Sequence, residues 1–187
     1  MNLILASQSP RRRELLRMLG LQFTVQAADI DETMDPALPP AAAVQDVSRR
    51  KAAAISAPAD TVVLAADTVV VIDGQILGKP RDEADAARML RLLAGREHTV
   101  ITAMTLRCGE KEACQAVSTG VKFRPLSDAE IAAYIRTGES MDKAGAYAVQ
   151  GVGALLVEEI HGDYYTVMGL PLCALGQQLQ AFGISIL

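Results

Sequence analysis

Hydroxyl and guanidinium side chains cluster near the start of the chain, directly after a short apolar run. Ser7 and Ser9 follow residues 3–6, and Pro10 and the arginines at 11–13 come next. This order predicts a buried strand leading into a helix with Ser9 as its N-cap and Pro10 as its first residue. Cations at a helix N-terminus are unfavourable by about 0.3–1 kcal/mol each. We therefore expect phosphate to bind here; a solvated basic helix start is the alternative.

A second set of polar side chains stands where predicted strands and helices end. Asp67 directly follows the apolar run at residues 61–66, which makes it a usable general base unless a metal ion or a cation holds it ionised; a turn cap is the alternative. Ligands bind beyond the strand ends of open α/β sheets, so one shared cleft is the simplest interpretation. It would be formed by Ser7, Ser9, Arg11, Glu32, Lys51, Asp67, Lys79, Asp142 and Lys143.

The ligand chemistry of this set is that of phosphate and a divalent cation. Phosphate would bind the cationic side chains, and Mg²⁺ or Mn²⁺ would bind the carboxylates, because both metals prefer oxygen ligands. Taken singly, Lys51, Lys79 and Glu32 are explained equally well by surface salt bridges.

The spacing of the apolar residues predicts a mixed α/β protein. Strands are expected over residues 3–6, 22–28, 61–72, 75–78 and 153–160, with a long hairpin around Gly109 in residues 98–124. Helices are expected over residues 10–19 and 41–56, from Asp82 to near Gly95, from Ser127 to Gly138, and from Leu172 onward. Ser127 and Glu130 have the spacing of a capping box.

Composition excludes several classes of protein. Half of the 187 residues are hydrophobic and the net charge is −4. The acidic balance argues against a protein that binds polymeric nucleic acid, including a module that binds RNA through the arginine cluster. The first apolar run is four residues long and precedes arginines, unlike a signal peptide, and no run is long enough for a membrane span. Three cysteines fit a reducing compartment; Cys108 and Cys114 flank the predicted hairpin turn, where unpaired thiols are the better interpretation. We expect a cytoplasmic protein.

Seven motifs together resemble the Maf family of nucleoside triphosphate pyrophosphatases. They are Ala6-Ser-Gln-Ser-Pro-Arg-Arg12, Asp31-Glu-Thr33, the region of Lys51, Ala66-Asp-Thr68, Gly78-Lys-Pro80, Asp142-Lys-Ala-Gly-Ala-Tyr147 with Gln150-Gly151, and Gly169-Leu-Pro171. They span essentially the whole chain. The resemblance implies one Maf-like domain over residues 1–187, with a two-lobed α/β fold whose extended, twisted mixed sheet is flanked by helices, similar to the inosine triphosphatase (Ham1) architecture. It also implies a homodimer.

The same resemblance implies a reaction, a cofactor and a set of site residues. The reaction is hydrolysis of a nucleoside triphosphate to the monophosphate and pyrophosphate with Mg²⁺ or Mn²⁺. The catalytic proton acceptor matches Asp67, and the specificity positions match Arg11, Thr68 and Gln150, as in the branch acting on dTTP and UTP; the branch acting on 7-methyl-GTP carries Trp, Gln and Glu there. Ser7, Ser9, Arg12, Lys51, Lys79 and Lys143 are assigned to phosphate, and Glu32 and Asp67 to the metal.

Two alternatives stay open within this resemblance. The family has been linked to arrest of cell division, so a nucleotide-binding regulator without turnover is one; Asp67 and the two lysines, Lys51 and Lys79, weigh against it. The other is an enzyme of the same chemistry acting on modified pyrimidine triphosphates such as 5-methyl-UTP and pseudouridine triphosphate. Whether Arg13 points at substrate or at solvent is also open.

Overall fold

The structure is a computed structural model, and it describes residues 2–187. The strands are β1 (Asn2–Leu5), β2 (Thr24–Val25), β3 (Thr61–Ile72), β4 (Gln75–Leu77), β5 (Glu97–Cys108), β6 (Lys111–Phe123) and β7 (Val157–His161). The α-helices are α1 (Pro10–Met18), α2 (Pro40–Ala53), α3 (Glu83–Leu93), α4 (Asp128–Ile135), α5 (Tyr164–Met168) and α6 (Leu172–Ala181). Two short 3₁₀ helices cover Ala144–Ala146 and Gly151–Leu156.

The strands form one mixed seven-stranded sheet in the order β2-β1-β3-β5-β6-β7, with β4 paired to β3. β1 is parallel to both β2 and β3, whereas β4 and β7 run antiparallel to their partners. The long apolar β3 lies inside the sheet, and its residues 61–67 are all buried, as expected for a strand covered on both faces. The predicted mixed α/β fold is confirmed.

The chain divides into two compact units. The first comprises residues 2–67, 102–117 and 168–187, and the second comprises residues 68–101 and 118–167. In the first unit, α2 packs on the first part of β3 through a cluster that contains Ala52, Ile55, Val63 and Ala65. Apolar residues of α2 recur at helical spacing, which is why one side of this helix is buried.

The second unit has its own, larger core. Val70 and Phe123 from the sheet pack there with Leu90 of α3 and Ile131 of α4. Ser127 caps α4 in the predicted capping box, in which its hydroxyl accepts from the Glu130 N–H and the Glu130 carboxylate accepts from the Ser127 N–H. The Asp82 side chain caps α3 by accepting from the Asp85 N–H, so both helices begin where their sequences predict.

Three segments differ from the sequence-based prediction. Only Thr24 and Val25 of residues 22–28 form a strand, because the segment pairs with β1 over two positions at the edge of the sheet. The strand predicted over residues 153–160 begins at Val157. The N–H groups of residues 152 and 153 instead donate to the Glu139 carboxylate. Helix α5 was not predicted; it is five residues long, too short for an apolar period.

Two further observations concern the whole described chain. Within residues 2–187, no helix combines the length and the apolar character needed to cross a bilayer. The three cysteines, Cys108, Cys114 and Cys173, are free thiols.

Candidate active site

The start of α1 folds as its sequence predicts. Ser9 has extended backbone angles and its hydroxyl accepts from the Arg12 N–H, with Pro10 as the first helical residue. The Ser7 hydroxyl accepts from the Ser9 N–H and from Arg12 Nη1, both at 3.2 Å. The two serines therefore organise the turn between β1 and α1 and stand next to a guanidinium group.

Arg12 is the arginine that the fold buries. Its side chain donates from Nε to the carbonyl oxygen of Gly169 at 2.7 Å, which joins the start of α1 to the Gly-Leu-Pro motif that precedes α6. Burial lowers the pKa of Arg12, the charge of Arg11 acts in the same direction, and the charges of Asp67 and Glu32 oppose both. A desolvated guanidinium held by neutral oxygens retains strong attraction for a phosphate.

The neighbouring arginines are placed differently. Arg11 is half-buried at the first turn of α1. Arg13 donates from Nη2 to the carbonyl oxygen of Gln8 at 3.2 Å, in an exposed contact. Arg13 thus contacts the local backbone, which gives it a structural role whatever else it binds.

Lys51 and Asp67 form the centre of the candidate site. Val44, Val47, Ser48 and Lys51 recur at helical spacing on the buried side of α2, so the helix carries the Lys51 ammonium against β3. There, Nζ lies 2.8 Å from Asp67 Oδ1, and the exposed fractions of the two side chains are 9% and 11%. The interpretation of Lys51 as a surface salt bridge is wrong, because the apolar side of α2 places the lysine inside the unit.

Glu32 is the second carboxylate that contacts Lys51. Its Oε2 lies 3.0 Å from Lys51 Nζ, and its side chain is 52% exposed. The loop that carries it is held by Arg50, which donates from Nη1 to the carbonyl oxygen of Asp31 and from Nη2 to that of Thr33, the latter at 2.8 Å. Sequence reasoning missed this role of Arg50; its position next to Lys51 was the available signal.

The two carboxylates fit a divalent cation as far as their donor atoms go. Glu32 and Asp67 both point at the same ammonium nitrogen, so their oxygens lie close together, and Mg²⁺ is commonly bound by one or two carboxylates plus substrate phosphates. Within residues 2–187, no group of three or more His, Cys, Asp and Glu side chains has the arrangement of a metal site.

The other predicted residues, Thr68, Lys79, Lys143 and Gln150, belong to the second unit. The Gly145 N–H donates to the Gly78 carbonyl oxygen at 3.0 Å, which brings the loops of Lys79 and Lys143 together. Lys79 is exposed, whereas the Lys143 side chain is 12% exposed and its ammonium contacts the Asp142 carboxylate. Thr68 is half-buried within β3 and Gln150 is exposed directly before the second 3₁₀ helix.

The partly buried Lys–Asp–Glu centre, the buried Arg12 and the two serines all belong to the first unit. The sequence of residues 2–182 matches the family described as Maf-like protein. The chain belongs to the Maf family.

Relatives of known name match along almost their whole length. The chain is 50% identical over 187 residues to the "dTTP/UTP pyrophosphatase" of Moorella thermoacetica, covering 98% of this chain and 96% of that protein. It is 48% identical over 183 residues to the "dTTP/UTP pyrophosphatase" of Bacillus velezensis, covering 97% of each.

Two solved structures overlap part of the chain. One is a nucleoside-triphosphatase, dITP/XTP pyrophosphatase, from Mycobacterium abscessus, with a TM-score of 0.43 and 16% identity over 66% of this chain and 73% of that one. The other is the Staphylococcus aureus Ham1 protein, with a TM-score of 0.45 and 12% identity over 66% and 72%.

Proposed function

We propose that this protein hydrolyses dTTP and UTP to the nucleoside monophosphate and pyrophosphate with the help of a divalent cation. The observation that carries the proposal is the contact of Lys51 with both Asp67 and Glu32 inside one unit. The names of the relatives at about half identity over full length support the choice of substrates.

In the proposed reaction, the Lys51 ammonium, which lies 2.8 Å from Asp67 Oδ1, turns from Asp67 to the substrate phosphates, and Asp67 orients a water molecule and accepts its proton. The water oxygen forms a bond to the α-phosphorus, and the bond from that phosphorus to the bridging oxygen breaks, which releases pyrophosphate. A divalent cation bound by Glu32 and Asp67 would neutralise phosphate charge. Lys51 offsets the charge of the two carboxylates, and in this proposal it also attracts the negative charge that develops on the phosphates.

The phosphates would bind to cationic and hydroxyl side chains of three of the sequence motifs. Arg12 and the hydroxyls of Ser7 and Ser9 bind phosphate oxygens in this proposal. Lys79 and Lys143 attract the negative charge of the leaving pyrophosphate. The Lys143 ammonium already has a carboxylate partner in Asp142, so it exchanges that partner for a phosphate.

Base selection is assigned to Gln150, with Arg11 and Thr68. Uracil and thymine present an acceptor, a donor and an acceptor along O4, N3–H and O2, and a glutamine amide accepts from N3–H while donating to O4. The same edge is present in 5-methyl-UTP and pseudouridine triphosphate, so these modified nucleotides belong to the proposed substrates. We further propose that the enzyme is a cytoplasmic homodimer.

The test is pyrophosphate release from dTTP, UTP, CTP, GTP and 7-methyl-GTP with Mg²⁺ or Mn²⁺. We expect turnover of dTTP and UTP that falls about 10²–10⁴-fold in the Asp67→Asn variant, the size of a general-base contribution. Asp60→Asn is the matched control, because Asp60 is exposed directly before the same strand. A preference for 7-methyl-GTP would contradict the assignment of Gln150. Nucleotide binding without any turnover would favour the regulator instead.

A further inference from the structure

Gln150 stands on a loop, residues 148–153, whose two ends are fixed by side chains to which no role has been assigned above. We infer that Glu139 and Tyr134 are positioning residues for base selection, because they hold this loop in one conformation. The inference rests on the proposed function and deepens it.

Glu139 fixes the end of the loop that follows Gln150. Its Oε1 accepts from the Val152 N–H at 3.0 Å, and its Oε2 accepts from the Gly153 N–H at 3.1 Å. Both carboxylate oxygens are thus directed at consecutive backbone N–H groups. Hydrogen bonds to an ionised acceptor are roughly twice as strong as those between neutral groups, so one half-buried side chain holds two residues of the loop.

Tyr134 fixes the end that precedes Gln150. Its hydroxyl oxygen accepts from the Ala148 N–H at 3.0 Å in a buried contact, and its side chain belongs to the core of the second unit through α4. The loop therefore begins on a rigid helix.

Two glycines show how closely the loop approaches these anchors. A Cβ atom at Gly153 would lie 2.1 Å from the Ala148 carbonyl oxygen and 2.8 Å from the Tyr134 hydroxyl. A Cβ atom at Gly151, whose φ is +70°, would lie 2.5 Å from Glu139 Oε1. The first and last residues of the loop are therefore in contact, and Gln150 is an exposed residue of a closed loop.

Base selection needs this rigidity. Hydrogen bonds weaken steeply outside their narrow range of distance and angle, and a glutamine amide turned over by half a rotation would match cytosine instead of uracil. An amide on a mobile loop would meet the base at varying distances and angles. A carboxylate and a hydroxyl that hold the backbone on either side fix the position of the Gln150 backbone, and therefore the distance and direction from which its amide reaches the base, which is the preorganisation that a selective site requires.

The test compares the kcat/KM ratio for UTP over CTP, and the ratio of their dissociation constants, in matched variants. Glu139→Gln replaces one acceptor oxygen by an amide that opposes a backbone N–H, and Tyr134→Phe removes only the hydroxyl. We expect each to lower both ratios about tenfold, the effect of one hydrogen bond. The controls Glu110→Gln and Tyr164→Phe alter exposed side chains and should leave the ratios unchanged.

The decisive variants combine each change with Gln150→Ala. If Glu139 acts through Gln150, then Glu139→Gln lowers the ratios in the wild-type background and has no further effect in the Gln150→Ala background. If Glu139→Gln lowers the UTP/CTP ratios by the same factor in both backgrounds, the inference is overturned. A lower melting temperature with unchanged UTP/CTP ratios would also overturn it, because a residue with only a structural role would give that result.

The proposed reaction and this inference fail separately. Selective binding of UTP by the wild-type protein without pyrophosphate release would overturn the reaction alone, and the binding ratios would still test Glu139. Release of pyrophosphate with ratios that Glu139→Gln and Tyr134→Phe leave unchanged would overturn the inference alone. Equal binding of UTP and CTP by the wild-type protein would overturn both the assignment of Gln150 and this inference.

Discussion

The ammonium nitrogen of Lys51 lies 2.8 Å from Asp67 Oδ1, and both side chains are about nine-tenths buried. A buried cation thus stands next to the carboxylate that the proposed reaction needs, and the same cation contacts the Glu32 carboxylate at 3.0 Å. Removing one member of such a buried pair is more damaging than removing both, because the remaining charge loses its partner.

Lys51→Met should lower the free energy of unfolding by about 3 kcal/mol, the low end for breaking a buried ion pair. The double variant Lys51→Met/Asp67→Asn should recover part of this loss, since a neutral amide replaces the unpaired carboxylate. Urea denaturation of the wild-type protein, the two single variants and the double variant measures the coupling free energy between Lys51 and Asp67. Lys122→Met, which removes ion pairs with the exposed Glu158 and Glu159, is the control and should change little. Additive effects of the two changes would contradict the buried pair.

Arg12→Lys should reduce both stability and turnover. Lysine cannot donate in the forked geometry that joins the Gly169 carbonyl oxygen and the Ser7 hydroxyl, and an unsatisfied buried carbonyl costs about 1–3 kcal/mol. Denaturation curves and steady-state kinetics with UTP check both effects. The matched variant Arg13→Lys alters an exposed contact, so we expect small changes. Equal losses in the two variants would show that burial of Arg12 has no consequence.

His98 should make the stability depend on pH. It is 3% exposed, its Nε2 lies 2.8 Å from the Tyr147 hydroxyl oxygen, and burial lowers its pKa from 6.5 to about 4. Between pH 6.5 and pH 4, the His98 imidazole is therefore protonated in the unfolded chain and neutral in the folded protein. The stabilisation is therefore complete above pH 6.5 and lost as the pH falls to 4, by about 3 kcal/mol.

The measurement is the urea midpoint of the wild-type protein and of His98→Gln between pH 4 and pH 8. The difference between the two should shrink as the pH falls, because glutamine does not titrate. His161→Gln is the control, since His161 is the other histidine and its side chain is 55% exposed. A constant difference across this range would contradict the assignment.

Removal of divalent cations should abolish pyrophosphate release, and Mg²⁺ or Mn²⁺ should restore it. Glu32→Gln should raise the metal concentration needed for half-maximal rate, because a neutral amide is a weaker ligand for a hard cation. Glu14→Gln, an exposed change on α1, should not. Full activity in the presence of a chelator would disprove the need for a cation.

Local features of the sequence determined much of this structure. The Ser9 cap, Pro10, the capping box at Ser127 and the apolar run of β3 each act over a few residues, and each is found where it was predicted. The cause is that caps and strand patterns depend on hydrogen bonds and burial within one element. The sequence also carried the family motifs from end to end, although their site roles remain predictions.

Only the tertiary structure decided which groups meet. The Arg12 guanidinium contacts the carbonyl oxygen of Gly169, 157 positions away, and the carboxylate of Glu139 reaches the loop of Gln150. The burial of Lys51 likewise follows from the packing of α2 on β3, since the residue types alone fitted a surface salt bridge as well. Such pairings depend on how distant elements pack, and neither partner carries a local signal for the other.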